Sequence, residues 1–235
     1  MNIKPNVNLL AFDTSTEYLS LAIMKGDEFF TFDINAGQTH SQIILPQIQA
    51  LLDKASLQLS DLQGIAFGSG PGSFTGVRIA AGVAQGLGFG AKLPVAAIST
   101  LLALAEASGA EKVIACLDAR MGEVYHAAYE KIATQWQMTI EPGVYKPNDV
   151  PALDGTDWVG AGSGWQAYEV QLSQVYAAQL RAIQPQLSPT ASAILALAQP
   201  IFTSGEAKSA SEAMPIYIRN RVALKTSERD QGLRL

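Results

Sequence analysis

Apolar residues near the start of the chain come in short runs separated by polar turns. Residues 8–12 and 19–24 have the length and composition of strands, and Lys25, Gly26 and Asp27 form a turn signal before a third run at 28–34. Because the three runs follow each other closely, they predict an antiparallel three-stranded meander.

Helical periodicity begins after this meander. Apolar residues recur at helical spacing up to about Ala55, with Thr39 or Ser41 as the N-cap. A short strand at 65–67 leads through a glycine-rich loop into a second helix, from Thr75 to about Gly90. A strand at 95–98 and an alanine-rich helix from Thr100 complete this half of the chain.

The second half repeats that outline. Strands at 113–117 and 124–129 predict a hairpin, and a strand at 158–159 enters a second glycine-rich turn at 160–164. Thr190 caps a last helix at 191–198. The pattern predicts two related α/β lobes, residues 1–105 and 106–235, with the last helix free to pack back on the first lobe.

Composition and charge narrow the class of protein. The chain of 235 residues is 48% apolar and can bury a core, and its net charge is −5 from 16 basic and 21 acidic residues. Without a dense run of Lys and Arg, strong direct binding to nucleic acid is disfavoured. Cys116 is the only cysteine and lies in an apolar run, where a small buried side chain is the expectation. With no stretch apolar enough to span a membrane, the sequence predicts a cytoplasmic protein.

The segment 68–78, Gly-Ser-Gly-Pro-Gly-Ser-Phe-Thr-Gly-Val-Arg, is the most informative stretch. So many glycines destabilise a fold unless another backbone must come close. The segment matches neither the Walker A loop nor G-x-G-x-x-G.

The helix after this segment has small or apolar residues around most of its circumference. Ile79, Val83 and Leu87 form a bulky stripe, which is flanked by Gly82 and Gly86 on one side and by Gly76, Ala80, Ala84 and Gly88 on the other. The pattern fits a subunit interface, and it fits equally well a helix buried between a sheet and a second layer of the same chain.

Few residues are candidates for catalysis. Asp13, Thr14, Ser15 and Thr16 follow the first strand, where actin-like ATPases and sugar kinases hold phosphates and Mg²⁺, although Asp and Thr side chains can also simply stabilise a turn. Metallopeptidase chemistry would need a ligand cluster, and the sequence has no His-x-x-x-His or Cys-x-x-Cys spacing. No Gly-x-Ser-x-Gly elbow is present, so no nucleophile is identified.

The two histidines and the second hairpin turn have ordinary interpretations. His40 and His126 are far apart in the sequence, and His40 is expected to make a polar contact at a helix start. Asp118, Arg120 and Glu123 surround the hairpin turn, where a local ion pair is expected.

A resemblance to a known family rests on several motifs in one order. The motifs are Asp13-Thr14-Ser15-Thr16, His40-Ser41 with Leu45-Pro46, the segment from Gly70 to Arg78, Asp118-Ala119-Arg120 with Glu123-Val124-Tyr125, and Pro215-Ile216-Tyr217-Ile218-Arg219. Together they resemble the TsaB family over nearly the whole chain. The resemblance implies a two-lobed actin-like ATPase fold (ASKHA, ribonuclease H-like), with mixed five-stranded sheets flanked by helices.

The resemblance also implies a role without catalysis of its own. The chain would activate TsaD, the subunit that transfers threonylcarbamoyl to the adenosine beside the tRNA anticodon, and would meet the TsaE ATPase near their junction. It would form a homodimer when alone, and would reach tRNA only through the complex. No metal and no cofactor would be required, although ATP or ADP could bind at the junction. TsaD carries a His-x-x-x-His pair that this sequence lacks.

The resemblance places the partner contact on the first two helices. The interface residues expected from it are His40, Ile44, Ile48, Ser73, Thr75, Gly76, Arg78, Ala80, Val83, Ala84 and Leu87. A nucleotide would lie at Asp13, Thr14, Ser15, Thr16, Gly70 and Gly72. The alternative function is an actin-fold ATPase or small-molecule kinase using the same nucleotide residues.

Overall fold

The computed structural model of the chain describes residues 7–218. Two five-stranded mixed sheets form its framework. The first sheet has the strand order β3-β2-β1-β4-β5, and its strands are β1 Asn8–Asp13, β2 Tyr18–Lys25, β3 Glu28–Asn35, β4 Gly64–Gly70 and β5 Val95–Ser99. β1, β2 and β3 pair antiparallel, which confirms the meander, whereas β4 lies parallel to both β1 and β5.

Alternation along β1 explains why both faces of the first sheet are covered. Leu10 and Phe12 point to one face, where they pack against the helices α1 His40–Lys54 and α2 Phe74–Ala91. Leu9 and Ala11 point to the opposite face, where they pack against α5 Ala191–Ser204. A strand buried on both faces reads as a continuous apolar run, as residues 9–12 do.

The second sheet repeats the plan of the first. Its strands are β6 Lys112–Arg120, β7 Glu123–Ile132, β8 Gln135–Tyr145, β9 Trp158–Ala161 and β10 Leu180–Gln184. Read from β8 the order is β8-β7-β6-β9-β10, the same sequence of strands as in the first sheet. Helix α4 Ser163–Val175 covers one face through a cluster that includes buried Cys116, Trp165 and Leu172. The repeated outline seen in the sequence is therefore a repeated topology.

Each of the two helices between the sheets packs against the sheet that the other half of the chain forms. Helix α3 Thr100–Ala107 follows the first sheet in sequence, yet Leu101 and Leu104 pack in a cluster with residues of β6 and β7. Conversely, α5 follows the second sheet and packs on the first. The Oγ atom of Ser20 in β2 accepts a hydrogen bond from the backbone N of Ala191, 2.7 Å away, at the start of α5. The last helix thus does pack back on the first sheet.

Three elements were missed by the sequence analysis, all in the second half. β8 is mostly exposed or half-buried and contains Pro142 and Gly143, which weaken a strand pattern. β10 is a short and partly exposed edge strand. α4 is interrupted by a non-helical backbone conformation at Tyr168, so its periodicity is broken.

Candidate functional site

Hydrogen bonds of its own side chains stabilise the turn after β1. The Oδ1 atom of Asp13 accepts hydrogen bonds from the backbone N and the hydroxyl of Ser15, at 2.9 and 2.7 Å. The Thr14 hydroxyl donates to the carbonyl oxygen of Gly76, 2.7 Å away in α2. Asp13, Thr14 and Ser15 are all buried, and Thr16 is half-buried. The turn is therefore stabilised by its own side chains.

The glycine-rich segment closes around this turn. A Cβ on Gly68 would lie 1.8 Å from Oδ2 of Asp13, one on Gly72 would lie 2.4 Å from the Ser15 carbonyl oxygen, and one on Gly76 would lie 1.8 Å from the Thr14 carbonyl oxygen. The close backbone approach expected from the glycines is thus made by the chain itself. Gly70 differs from these three, because its φ of 105° lies in the left-handed region that favours glycine.

Asp13 has an electrostatic environment unlike that of a surface carboxylate. The side chain is 1% exposed, and among the described residues its Oδ2 atom has no hydrogen-bond partner. Burial raises the pKa of Asp13 to about 6, although the hydrogen bonds from Ser15 oppose this rise. The predicted nucleotide residues therefore converge on one point, but Asp13, Thr14 and Ser15 face inward in this conformation.

Burial shows which face of α2 packs against the core. Three of the predicted interface residues lie on that face, so this part of the prediction has to be corrected. Gly76, Ala80 and Ala84 belong to the buried face of α2. Ala80 and Ala84 are fully covered by the chain's own core, and Gly76 lies against Thr14. These three residues are consequently unavailable to a partner.

The same correction applies to α1. His40, Ile44 and Ile48 form its buried face and pack beneath it on the first sheet. The Nε2 atom of His40 lies 3.2 Å from the carbonyl oxygen of Tyr18, which confirms the predicted polar contact at the helix start. Because His40 is only 5% exposed, its side chain contributes to the fold of its own chain.

Residues 7–218 leave the opposite sides of both helices uncovered. We call the α2 part of this surface the α2 outer face, and it consists of Thr75, Ile79, Gly82, Val83, Gly86 and Phe89. A Cβ added to Gly82 or Gly86 would meet no atom within 4 Å in the part of the chain that the structure describes. Ile79 and Val83 are half-buried, and Phe89 is 61% exposed. On α1, Leu45 is an exposed apolar residue.

The surface residues among the predicted interface positions lie on or beside this face. Ser73, Thr75 and Arg78 are exposed, and Val83 and Leu87 are half-buried. The prediction did not include Gly82 and Gly86, although their spacing of four residues was visible in the sequence. That spacing allows another helix to approach closely.

An aromatic and cationic cluster lies at the start of α2. The Arg78 guanidinium stacks over the Phe74 ring at 3.2 Å and lies 4.9 Å from the Tyr217 ring centroid. Phe74 and Tyr217 are 52% and 49% exposed. The chain before Tyr217 is fixed, since the backbone N of Ile216 donates to the carbonyl oxygen of Ser69 at 2.7 Å.

The hairpin turn of the second sheet faces the β1 turn. Arg120 Nη1 lies 3.3 Å from Asp118 Oδ2, which confirms the predicted local ion pair. Its Nη2 lies 3.6 Å from Oε1 of Glu17, just after the β1 turn. Because Arg120 and Glu17 are largely exposed, water screens this contact between the two halves.

His126 is a structural residue in the core of the second sheet. It is fully buried, and its Nε2 atom lies 2.8 Å from the hydroxyl of Tyr176, which donates to the Pro151 carbonyl oxygen. Burial lowers the pKa of His126 to about 4, so the ring is neutral near pH 7.

Within residues 7–218, no group of three or more His, Cys, Asp or Glu residues could hold a metal ion. No helix in the same range is long and apolar enough to cross a membrane.

The fold and the comparisons with known proteins agree. Two sheets of one strand order, with helices between them and on their outer faces, define a two-lobed α/β protein of the actin-like ATPase class. The family model described as "TsaD: tRNA N6-adenosine threonylcarbamoyltransferase" matches residues 34–224. A crystallographic relative, YeaZ from Pseudomonas aeruginosa, superposes with a TM-score of 0.84 at 40% identity, over 90% of this chain and 99% of that one.

Sequence relatives narrow the class to one family. The chain is 39% identical to the tRNA threonylcarbamoyladenosine biosynthesis protein TsaB of Escherichia coli, over 93% of this chain and 97% of that protein. It is 41% identical to TsaB of Haemophilus influenzae, over 94% and 97% of the two chains. The chain belongs to the TsaB family.

Proposed function

We propose that this protein is a non-catalytic subunit of the complex that forms threonylcarbamoyladenosine beside the tRNA anticodon, and that it activates a TsaD subunit by binding to it. Relatives that match nearly the whole chain are named for threonylcarbamoyladenosine biosynthesis. Our proposal gives this chain no acid, base or nucleophile in the transfer.

The α2 outer face is the observation that carries this proposal. A helix in a surface layer normally turns polar residues to water, but this face offers Ile79, Gly82, Val83 and Gly86. The two glycines leave room for a partner backbone, and Ile79 and Val83 supply apolar area beside them. Phe89 extends the apolar surface at the end of α2, and Leu45 on α1 is a further exposed apolar residue.

Binding at this face gives a simple mechanism of activation. A helix pair from the partner would pack on α1 and α2, and the partner conformation that fits this face would be favoured by the differential binding energy. A second copy of this chain would use the same face, so the homodimer and the heterodimer would exclude each other. A TsaE ATPase would bind near the junction of the two subunits. The assembled complex would hold the tRNA, and threonylcarbamoyladenosine would be formed in the cytoplasm.

The proposal is tested by light scattering during size-exclusion chromatography of the chain mixed with TsaD from the same source. We expect a 1:1 complex with the wild-type chain and its loss with Gly86→Arg, because a long charged side chain fills the groove. The matched control is Ala196→Arg, at an exposed position of α5. Undiminished assembly of the Gly86→Arg chain would show that the contact lies elsewhere.

A second candidate function is supported by one observation. The Oδ2 atom of Asp13, which has no hydrogen-bond partner within residues 7–218, lies where actin-fold ATPases and small-molecule kinases hold Mg²⁺-nucleotide. Calorimetric titration of Mg-ATP into the isolated chain and into the complex separates the cases. Tight binding by the isolated chain would favour an ATPase or kinase, and binding by the complex alone would place nucleotide at the partner junction.

A further inference from the structure

An extended segment runs along one edge of α2. It consists of residues 213–217, which we call the strap. The Gln85 side-chain amide donates to the carbonyl oxygen of Ala213, 3.0 Å away. The backbone N of Ile216 donates to the carbonyl oxygen of Ser69 at the end of β4, at 2.7 Å. These two hydrogen bonds hold the strap against α2 and the first sheet.

The strap brings an aromatic ring to Arg78. The Arg78 guanidinium stacks over the ring of Phe74 at 3.2 Å and lies 4.9 Å from the ring centroid of Tyr217. Its Nη1 atom also donates to the carbonyl oxygen of Phe74, 3.2 Å away. Because two rings and a backbone carbonyl orient the guanidinium, less conformational entropy is lost when it binds a further group.

Arg78 carries a charge that the surrounding surface leaves unneutralised. Among the residues that the structure describes, no carboxylate forms an ion pair with its guanidinium. The side chain is exposed. Successive residues of a helix are about 100° apart, so Arg78 lies between Gln85 and Gly82 around α2 and borders the α2 outer face. An oriented cation therefore lies at the edge of an apolar surface.

We propose that Arg78 is the anchor for a carboxylate of the partner subunit that packs on the α2 outer face. The inference rests on the proposed function and adds to it the chemistry by which the partner is recognised. A carboxylate accepts two parallel hydrogen bonds from a guanidinium, and packing of the partner around this pair shields it from water. Arginine and aromatic residues are also the types that contribute most to binding at protein interfaces.

The anchor favours the partner subunit over a second copy of this chain. Helix α2 contains no acidic residue, and α1 contains only Asp53. Two copies packed through the α2 outer face would therefore bring two Arg78 cations to a surface poor in carboxylates. A partner with an Asp or Glu opposite Arg78 would neutralise it instead. An unpaired charge at an interface is one way in which a protein rejects the wrong partner.

The first test measures the heterodimer with TsaD by sedimentation over a series of salt concentrations. Arg78→Met removes the charge but keeps an unbranched side chain against Phe74, and because Arg78 is exposed no core packing is lost. We expect the heterodimer Kd to rise about tenfold at about 0.1 M salt and to depend less on salt, with self-association of the chain not weakened. The matched control is Arg181→Met, at an exposed position of β10, which should change none of these quantities.

A second test identifies the group opposite Arg78. Arg78→Lys places a primary amine at this position, and a carbodiimide joins an amine to a carboxylate that is in contact with it. We expect peptide mass spectrometry of the cross-linked heterodimer to find position 78 joined to an Asp or Glu of TsaD. Arg181→Lys, treated in the same way, should give no link from position 181 to TsaD.

Three outcomes would overturn the inference while the wild-type complex, and with it the proposed function, remained. Equal binding of TsaD by Arg78→Met and Arg181→Met would mean that Arg78 is no anchor. Weaker binding with unchanged salt dependence would mean that the apolar stem, and not the charge, makes the contact. A cross-link from position 78 to a carboxylate of its own chain would mean that the charge is already neutralised within the protein.

Failure of the proposed function itself would be seen earlier. If the wild-type chain does not assemble with TsaD, light scattering shows this before any variant is made, and the inference is then wrong as well.

Discussion

Asp13 is held in the folded chain with one carboxylate oxygen bonded to Ser15 and the other without a partner among the described residues. Burial places its pKa at about 6 in the folded chain, above the ordinary value of 3.8. The folded state therefore keeps a proton that the unfolded state releases between about pH 4 and 6. Stability is lost as the pH rises through this window, by about 3 kcal/mol at most.

Asp13→Asn removes this ionisation and keeps an oxygen that can accept the hydrogen bonds from Ser15. The free energy of unfolding of the wild type, minus that of the variant, should fall by about 2 to 3 kcal/mol between pH 4 and 7. Urea unfolding at a series of pH values measures this difference. Parallel pH curves for the two proteins would mean that Asp13 ionises freely in the folded chain.

At the scale of single elements, the hydrophobic periodicity of the sequence predicted the positions of α1 and α2 correctly. It did not predict which side of α2 faces inward. Ala80 and Gly82 are both small residues, so no hydrophobic pattern distinguishes a buried stripe of them from an exposed one. The β1 turn packs against Gly76 and thereby determines which side of α2 faces inward. The two residues of this contact, Thr14 and Gly76, are 62 positions apart in the sequence. For the same reason, the glycine-rich segment predicted the close approach of another backbone, but it could not predict that this backbone is the β1 turn.

Gly76→Ala tests this packing directly. The new methyl group would collide with the Thr14 carbonyl oxygen, and as both partners are backbone neither can rotate away. We expect the free energy of unfolding to fall by about 3 kcal/mol. Gly86→Ala is the matched control, because it lies in the same helix with open space around it and should raise the free energy of unfolding by about 0.5 to 1 kcal/mol. Equal effects of the two substitutions, measured by urea unfolding, would contradict the assigned orientation of α2.

At the scale of the whole molecule, the order of strands and turns was sufficient to predict two related lobes. The sequence predicted a division near residue 105, with the last helix free to pack back on the first lobe, and the packing of α3 and α5 crosses that division. α3 lies before the second sheet and packs against it, while α5 lies after that sheet and packs against the first. Both helices are apolar around much of their surface, so their pattern shows burial without showing which sheet they cover.

This crossing predicts that substitutions act on the sheet of the other half of the sequence. Ile194 of α5 and Leu104 of α3 are both fully buried, and truncation of either to Ala should cost about 2 to 5 kcal/mol. In native-state hydrogen exchange, Ile194→Ala should speed exchange mainly in β1 and β2, more than 160 residues earlier in the sequence. Leu104→Ala should speed exchange mainly in β6 and β7. If each variant instead loosened the sheet of its own half, the two lobes would be packing units divided near residue 105, and the layer of α3 and α5 would not join them.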